Sequence, residues 1–497
     1  MNDNRKSDSC IVPEKAANKP VLEAGAEPLE GRRLIKGNVN EDDKSQTPSW
    51  SNDLPVLERI RRGKGRQLLT SLYHVVYEIE QLREAYYNLK RRAAAGVDGQ
   101  TWASYGEELE ENLKGLSDRL ARGAYKPPAV RRVYIPKPDG RQRPLGIPAL
   151  EDKIVQYVVV QLLMAIWEKE FVGFSYGFRP GRGAHDALAA LAVGITERPI
   201  NWVLDADIRA CFDTIGHEWL LKFIEHRIGD RRLTALLQKW LQAGVMEAGE
   251  WTRSESGTPQ GGLVSPVLAN VYLHYTFDLW AQQWRKRKAR GAIIMVRYAD
   301  DFVVGFEHRE EAERFQLELS ERLAQFQLQL HEGKTRLIEF GRRAAIDRKR
   351  RGAGKPETFN FLGFTHICGR SRKGKFLVVR KTMRKRMQAK VKALKSEFRR
   401  RLHQPVPAQG VWVSAVLRGH FHYYGVPLNS RALTSFVHQV TNLWHQTLRR
   451  RSQRGRRLTW AKFQRVTARW IPPAHICHPY PAELLAQRLA TVATVTT

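Results

Sequence analysis

In Gly291-Ala-Ile-Ile-Met-Val-Arg297-Tyr298-Ala299-Asp300-Asp301-Phe302-Val-Val-Gly-Phe306, two apolar, β-branched runs flank a pair of adjacent aspartates. Runs of this kind on either side of a short polar break predict a β-hairpin. On a straight strand neighbouring side chains face opposite ways, but a tight turn can aim Asp300 and Asp301 at one point. Paired carboxylates suit a hard divalent cation such as Mg²⁺. A second acidic strand lies upstream, Asn201-Trp-Val-Leu-Asp205-Ala-Asp207-Ile-Arg-Ala-Cys-Phe212-Asp213. By the two-residue period of a strand, Asp205 and Asp207 share a face with Val203. One carboxylate from this strand, joined to the hairpin pair, would complete a set able to hold two metal ions. Such ions activate a hydroxyl and stabilise a departing phosphate oxygen. Asp205, Asp207 and Asp213 all compete for that place, Asp213 also as a cap of the following helix.

The order of further motifs identifies the resemblance. Val97-Asp98-Gly99 is followed by Ile135-Pro-Lys137-Pro with Arg143-Pro-Leu-Gly-Ile-Pro148, and then by Ser175-Tyr-Gly-Phe-Arg179-Pro-Gly-Arg. After the Asp207 strand come Gly257-Thr-Pro-Gln260-Gly261-Gly-Leu-Val-Ser-Pro266, the Tyr298-Ala-Asp-Asp301 turn, Lys334-Thr335, Phe361-Leu-Gly-Phe364 and Leu417-Arg-Gly-His-Phe-His-Tyr-Tyr-Gly425. In this order the chain resembles a group II intron-encoded reverse transcriptase/maturase, over roughly residues 55–480. The resemblance implies an α+β fold: a polymerase right hand of fingers and palm, followed by an α-helical thumb/maturase domain. It also implies RNA-templated DNA synthesis with two Mg²⁺ ions, from an RNA template and a DNA primer or target with dNTPs. Group II intron RNA would be a further partner in splicing and mobility. A retron-like or host-defence enzyme, a maturase acting mainly as an RNA binder, and an RNA-templated RNA polymerase are the competing readings.

Within that family the spacing singles out Asp207, because Phe212, five residues on, would then lie under the incoming sugar and meet a ribose 2′-hydroxyl. The metal ligands implied are Asp207, Asp300 and Asp301, with the backbone of Ile208. Lys137 and Arg143 flank the Pro138-Asp-Gly turn and would grip nucleotide phosphates, which need fixed cations. The N–H groups of Ala210 and Cys211 lie where strand gives way to helix, a place suited to an anion. Gln260 would line the nucleotide pocket, Gly261 and Arg179 the template, and Lys334 would play a weaker nucleotide-binding part. His217 is expected only to start a helix.

Composition agrees. The chain has 497 residues and a formal net charge of +32, which favours a polyanionic partner. From Arg380 to Arg457 there are 19 Lys and Arg and one acid, Glu397. Arg384, Lys385 and Arg386 begin this run and are expected to contact RNA phosphates. Most aromatics interleaved with it recur at helical spacing and are expected to be core. Four scattered cysteines without a Cys-x-x-Cys pair argue against a structural zinc site, and with it against the zinc-bearing HNH endonuclease that many relatives carry. No signal peptide is recognised at the start and no apolar run is long enough for a membrane span. A cytoplasmic, nucleoid-associated protein is expected.

The expected organisation is a disordered tail over 1–52, a helical extension leading into the fingers over 53–126, fingers and palm over 127–375, thumb over 376–480, and a tail over 481–497. Helices are predicted over Leu68–Leu89, Tyr105–Leu120, Ile154–Trp167, Phe315–Leu328, Lys381–His403, Gly410–Tyr424 and Ser430–Arg450, with an exposed loop at Arg348–Lys355.

Overall fold

The computed structural model describes residues 68–136, 142–247, 250–252, 257–258 and 261–495. The expected tail over 1–52, Lys137 and Gln260 lie outside the described residues. The first predicted helix is divided into Tyr73–Tyr77 and Ile79–Asn88, and the second into Trp102–Gly106 and Leu109–Ala121. Thr101 and Ser104 form a capping box at the start of the third piece, satisfying backbone N–H groups that a helix end leaves free. A hairpin of β1 (Val130–Pro136) and β2 (Gln142–Ile147) follows, with Ile135 opposite Arg143. Helix α1 (Leu150–Trp167) is apolar on nearly every side, as a helix enclosed by neighbours must be. Leu113, Leu120, Ile154 and Leu162 belong to one core, so the boundary expected at 126/127 cuts through a single packed unit.

Helix α2 (Ala184–Glu197) leads to β3 (Trp202–Asp207), and two short strands, β4 (Val245–Glu247) and β5 (Glu250–Thr252), extend the β1–β2 sheet. Helix α3 (Ser265–Leu273) precedes the palm hairpin, β6 (Ile293–Tyr298) and β7 (Asp301–Phe306), and β8 (Arg336–Glu339) completes the sheet. The palm order is β6-β7-β3-β8, with antiparallel neighbours throughout. The strand alternation is strict. Leu204, Ala206, Phe302 and Val304 face the core containing α1, whereas Val203 and Val303 face a second core containing α2 and the thumb. Asp205, Asp207 and Asp301 therefore share the second face.

Beyond β8, residues Arg342–Arg350 are helical, so the exposed loop expected from Arg348 starts only after Arg350. Strands β9 (Phe359–Phe361), β10 (Phe364–Arg370) and β11 (Phe376–Thr382) form a small antiparallel sheet. Lys381 is thus in a strand, and the basic helix α4 (Arg384–Arg400) is shorter than predicted at both ends. The 375/376 boundary falls at the tip of the β10–β11 hairpin, and the helical thumb begins after Thr382. Helix α5 (Val406–Tyr424) starts before the expected Gly410, because Pro407 is tolerated in its first turn. Helix α6 (Ser430–Arg450) matches its prediction. Phe398, Phe421 and Trp444 are buried in the thumb core, as the helical spacing of the aromatics implies. Residues from 481 are not a tail: α7 (Pro481–Val495) returns to α2, with Leu485 beside Ala189 and Val193 and Arg488 Nε donating to Asp186 Oδ1 at 2.9 Å. No helix among the described residues is long and apolar enough to cross a membrane.

Asp152 in the first turn of α1 is 1% exposed. Its Oδ1 accepts from the Tyr125 hydroxyl, and from Trp240 Nε1 at 3.4 Å. Burial pushes this carboxyl from 3.8 to about 7. The folded state then holds a proton that the unfolded chain has released, so wild-type stability falls as pH rises from about 4 to 7, by about 1.4 kcal/mol per pH unit. Asp152→Asn keeps an acceptor for both donors and lacks this slope. Denaturant melts should show the variant gaining on wild type between pH 5 and 7 and holding a constant lead above pH 7; a pH-independent difference would contradict the assignment.

Candidate active site

The palm sheet brings the acidic motifs together. In the β3–β7 register Asp207 is directly opposite Asp301, a spacing of about 5 Å between Cβ atoms. Between Tyr298 and Asp301, which pair across the β6–β7 hairpin, only Ala299 and Asp300 form the turn. Ala299 has φ 56°. A positive φ at the first central residue is what the right-handed twist of a two-residue hairpin asks for, although an alanine there is strained. The turn holds Asp300 one rung beyond Asp301, level with Ile208 in the continuing register. Arg209 N–H donates to Gln329 O and His331 N–H to Asp207 O. In that pattern the N–H and C=O of Ile208 point away from the Leu330 segment, toward the side where β7 and the aspartates lie.

Like charges set directly across a sheet repel, and the protonation equilibria record this. Burial and then Asp207 raise the Asp300 carboxyl above its ordinary range; Arg143 and Lys334 pull it back. Burial, then Asp300 and Asp207, push Asp301 well above the carboxylate range, and it hydrogen-bonds to Asp207. Lys334 projects from the turn before β8, and its Nζ donates to Asp207 Oδ2. Among the described residues no three His, Cys, Asp or Glu side chains are gathered around one point. Asp205 stands apart, its Oδ2 3.8 Å from Arg336 and its carboxyl raised to about 6, chiefly by burial.

The remaining expected residues divide. Arg143 is exposed on β2, and its positive charge is one of those that pull the Asp300 carboxyl back down. Ala210 is exposed with φ 46° and starts the short helix Cys211–Thr214. Cys211 is buried, and Phe212 is half-buried against the core. The Gly257-Thr258 segment closes on this turn, Thr258 N–H donating to Phe212 O at 2.7 Å. Gly261, at φ 122°, lies so near β2 that a Cβ would come 2.4 Å from Gly146 O. His217 opens the helix His217–Glu225, as expected, and bonds Gly257 O through Nε2 at 2.7 Å.

Arg179 requires a correction. It is 3% exposed, forms a fork with Glu168 (Nε to Oε2 3.0 Å, Nη2 to Oε1 2.7 Å), and donates through Nη1 to the carbonyls of Val172 and Ser175. A guanidinium enclosed in this way shapes the Ser175–Arg182 loop and has no face left for a template. In the thumb, Arg384 and Lys385 are exposed at the start of α4, while Arg386 is half-buried beside Gly363. Sequence reasoning overlooked Arg297, which is wholly buried and hydrogen-bonded to the Ala299 carbonyl at 3.0 Å. The signal was an arginine inside an otherwise apolar strand.

Two acidic strands paired in a four-stranded sheet, with a basic hairpin before them and a helical unit after them, match a polymerase right-hand fold. The reverse transcriptase (RNA-dependent DNA polymerase) family matches residues 135–366. The chain is 38% identical over 239 residues to protein YkfC of Escherichia coli, covering 42% of this chain and 62% of that protein. It is 36% identical over 225 residues to group II intron-encoded protein LtrA of Lactococcus lactis subsp. cremoris, covering 44% of this chain and 37% of that protein. To the putative COX1/OXI3 intron 1 protein of Saccharomyces cerevisiae it is 31% identical over 224 residues, covering 45% of this chain and 26% of that protein. Residues 135–366 thus match the reverse transcriptase family, and across much of the same span the chain is similar to a group II intron-encoded protein. The matches span less than two thirds of these relatives' own lengths.

Gly177 supports the aspartate turn from below: a Cβ there would come 2.4 Å from the Ala299 backbone nitrogen. Gly177→Ala should therefore displace the turn and cost about 1–3 kcal/mol of stability. Thermal unfolding checks this; an unchanged melting temperature would mean that the turn is not held tightly at this contact.

Proposed function

We propose that this protein is an RNA-directed DNA polymerase that also binds structured intron RNA and assists its splicing and mobility. The observation that carries the polymerase reading is the register of β3 against β7, with Asp207 opposite Asp301 and Asp300 one rung beyond. Carboxylate oxygens are the donors that Mg²⁺ prefers, and two ions are the proposed complement. Burial, and then the charge of neighbouring aspartates, raise the proton affinity of Asp300 and Asp301, a strain that divalent cations would relieve, and Lys334 is paired with Asp207. Asp207, Asp300 and Asp301, with the Ile208 carbonyl, would hold the ions. Bound there, they would supply activation of a primer 3′-hydroxyl and charge stabilisation for the leaving pyrophosphate.

The chain's own groups do the rest. Arg143 on the fingers hairpin, with Lys137 and Gln260 as further expected contacts, meets the triphosphate of a dNTP. The backbone at Ala210 and Cys211 offers N–H groups to the same phosphates. Phe212 stands beside the Thr258 segment and forms a wall where a ribose 2′-hydroxyl would project. The exposed cations of α4 meet RNA phosphates, an interaction that weakens steeply with salt. With Asp207 engaged as a ligand, the Lys334 ammonium now paired with it would be available to meet phosphate.

Primer extension with dNTPs and Mg²⁺ on an RNA template tests the reading. Asp300→Asn should abolish synthesis, by at least about a hundredfold, while leaving RNA affinity near that of the parent, because the lost oxygen serves metal and not RNA. Near-parental synthesis would remove the metal-site assignment. Phe212→Ala should admit ribonucleotides, measured as rNTP against dNTP incorporation, since removing the ring removes the steric element that rejects them. An unchanged preference would make Phe212 a core residue only.

A further inference from the structure

Arg297 is 0% exposed on β6, in a strand whose other members are aliphatic or aromatic. A guanidinium carries five N–H groups, and here each has an acceptor. Nε donates to Asp278 Oδ1 at 2.7 Å, and Nη2 to Asp278 Oδ2 at 2.5 Å and Ser175 Oγ at 2.7 Å. Nη1 donates to Asn270 Oδ1 at 3.1 Å and to the Ala299 carbonyl at 3.0 Å. Asp278 is itself 0% exposed and ends a π-helical turn, His274–Asp278, lying between α3 and the helix Leu279–Lys288. Such turns are rare and occur mostly where a helix must depart from regular geometry to place a side chain.

An ion pair needed only for burial would be complete with Asp278. The three additional acceptors all belong to the segments around the aspartate turn. Ala299 is the strained residue of the turn. Asn270, on α3, also donates through Nδ2 to Gly177 O at 2.7 Å, and Gly177 abuts the Ala299 backbone. Ser175 pairs with Arg297 through the backbone, Arg297 N–H donating to Phe174 O and Tyr176 N–H to Arg297 O.

We propose that Arg297, held by Asp278, is a positioning residue: its fork fixes the left-handed conformation of Ala299 and thereby the direction in which Asp300 and Asp301 present their carboxylates. This rests on the polymerase reading above for its consequence in catalysis, and on the geometry alone for its consequence in cation binding. Lysine cannot replace it, because one ammonium can meet Asp278 but cannot span Asp278 and Ala299 at once.

The test uses the full chain and three variants. Arg297→Lys retains a cation for Asp278. Asp278→Asn retains an oxygen acceptor for the fork and serves if Arg297→Lys does not fold. Arg227→Lys is the control, since Arg227 forms another buried pair, with Glu170 at 2.6 Å, and its carbonyl accepts from Leu69 N–H, partners distinct from those of the aspartate turn. Melting temperature, Mn²⁺ binding by electron paramagnetic resonance, primer–template affinity and single-turnover extension rate are read for each. Arg297→Lys should weaken Mn²⁺ binding by about tenfold or more and slow extension by about a hundredfold, as a displacement of about 1 Å at a reacting centre can. Its primer–template affinity should stay close to that of the parent. The control should keep both Mn²⁺ binding and rate at a comparable loss of melting temperature. Losses in the two arginine variants that simply track melting temperature, or parental Mn²⁺ binding in both Arg297→Lys and Asp278→Asn, would overturn the proposal. A parent chain without synthesis would instead remove the polymerase reading, while the Mn²⁺ comparison on the protein alone would still decide the positioning.

Discussion

A single buried guanidinium ties together the parts of the palm on which the rest depends. Taking Arg297 and Asp278 out of water carries a desolvation penalty of several kcal/mol per ion, which is offset only when geometry and hydrogen bonding are complete. Here they are complete: five N–H groups meet five acceptors from four chain segments. The pair is therefore weak as a source of net stability and strong as a source of uniqueness. Any other arrangement of the Ser175 loop, α3 or the aspartate turn would leave a buried donor without an acceptor, at a cost of about 1–3 kcal/mol or more. Arg179 and Glu168 do the same for the opposite end of the Ser175–Arg182 loop.

The sheet itself contributes a second constraint, alternation. Because β3 and β7 each divide their apolar residues between two cores, a slip by one residue would exchange the side chains that the two cores enclose and turn the aspartates into the core around α1. Asp207 and Asp301 are thereby fixed on one face and in one register. The same register sets carboxylates across from one another, which is unfavourable in isolation. Local destabilisation at a site where cations are expected is a common form of functional cost. Lys334 lessens it at Asp207, and Arg143 and Lys334 lessen it at Asp300.

Around this site the glycines mark close approaches of backbone. Gly261 meets the Gly146 carbonyl and Gly177 meets Ala299, so the loops before and after the palm strands are packed onto the hairpins they serve. The thumb shares its core with the second face of the palm sheet, from Val203 and Val303 through Phe398 and Trp444. Its position relative to the carboxylates is thus set by apolar packing, while the cations of α4 remain at the surface. Helix α7 adds a contact from the other end of the chain, through Leu485 and Arg488 onto α2.

By itself the sequence determined the hairpin with its two aspartates, the acidic strand before it, the order of motifs from Ile135 to Phe364, the basic run of the thumb and the burial of its aromatics. These are legible because strand alternation, turn residues and charge runs are local properties. Only the tertiary structure decided among residues of the same type. Arg179 and Arg297 are arginines beside recognised motifs, yet both are enclosed, whereas Arg143 is exposed and acts on Asp300. Nothing local distinguishes them, since burial and hydrogen-bond partners come from segments up to 122 residues away in the chain. The same holds for the end of the chain. Its helical pattern says nothing of a partner until α2 supplies an apolar face and Asp186 a carboxylate, and then a stretch that looked like a tail becomes part of the fold.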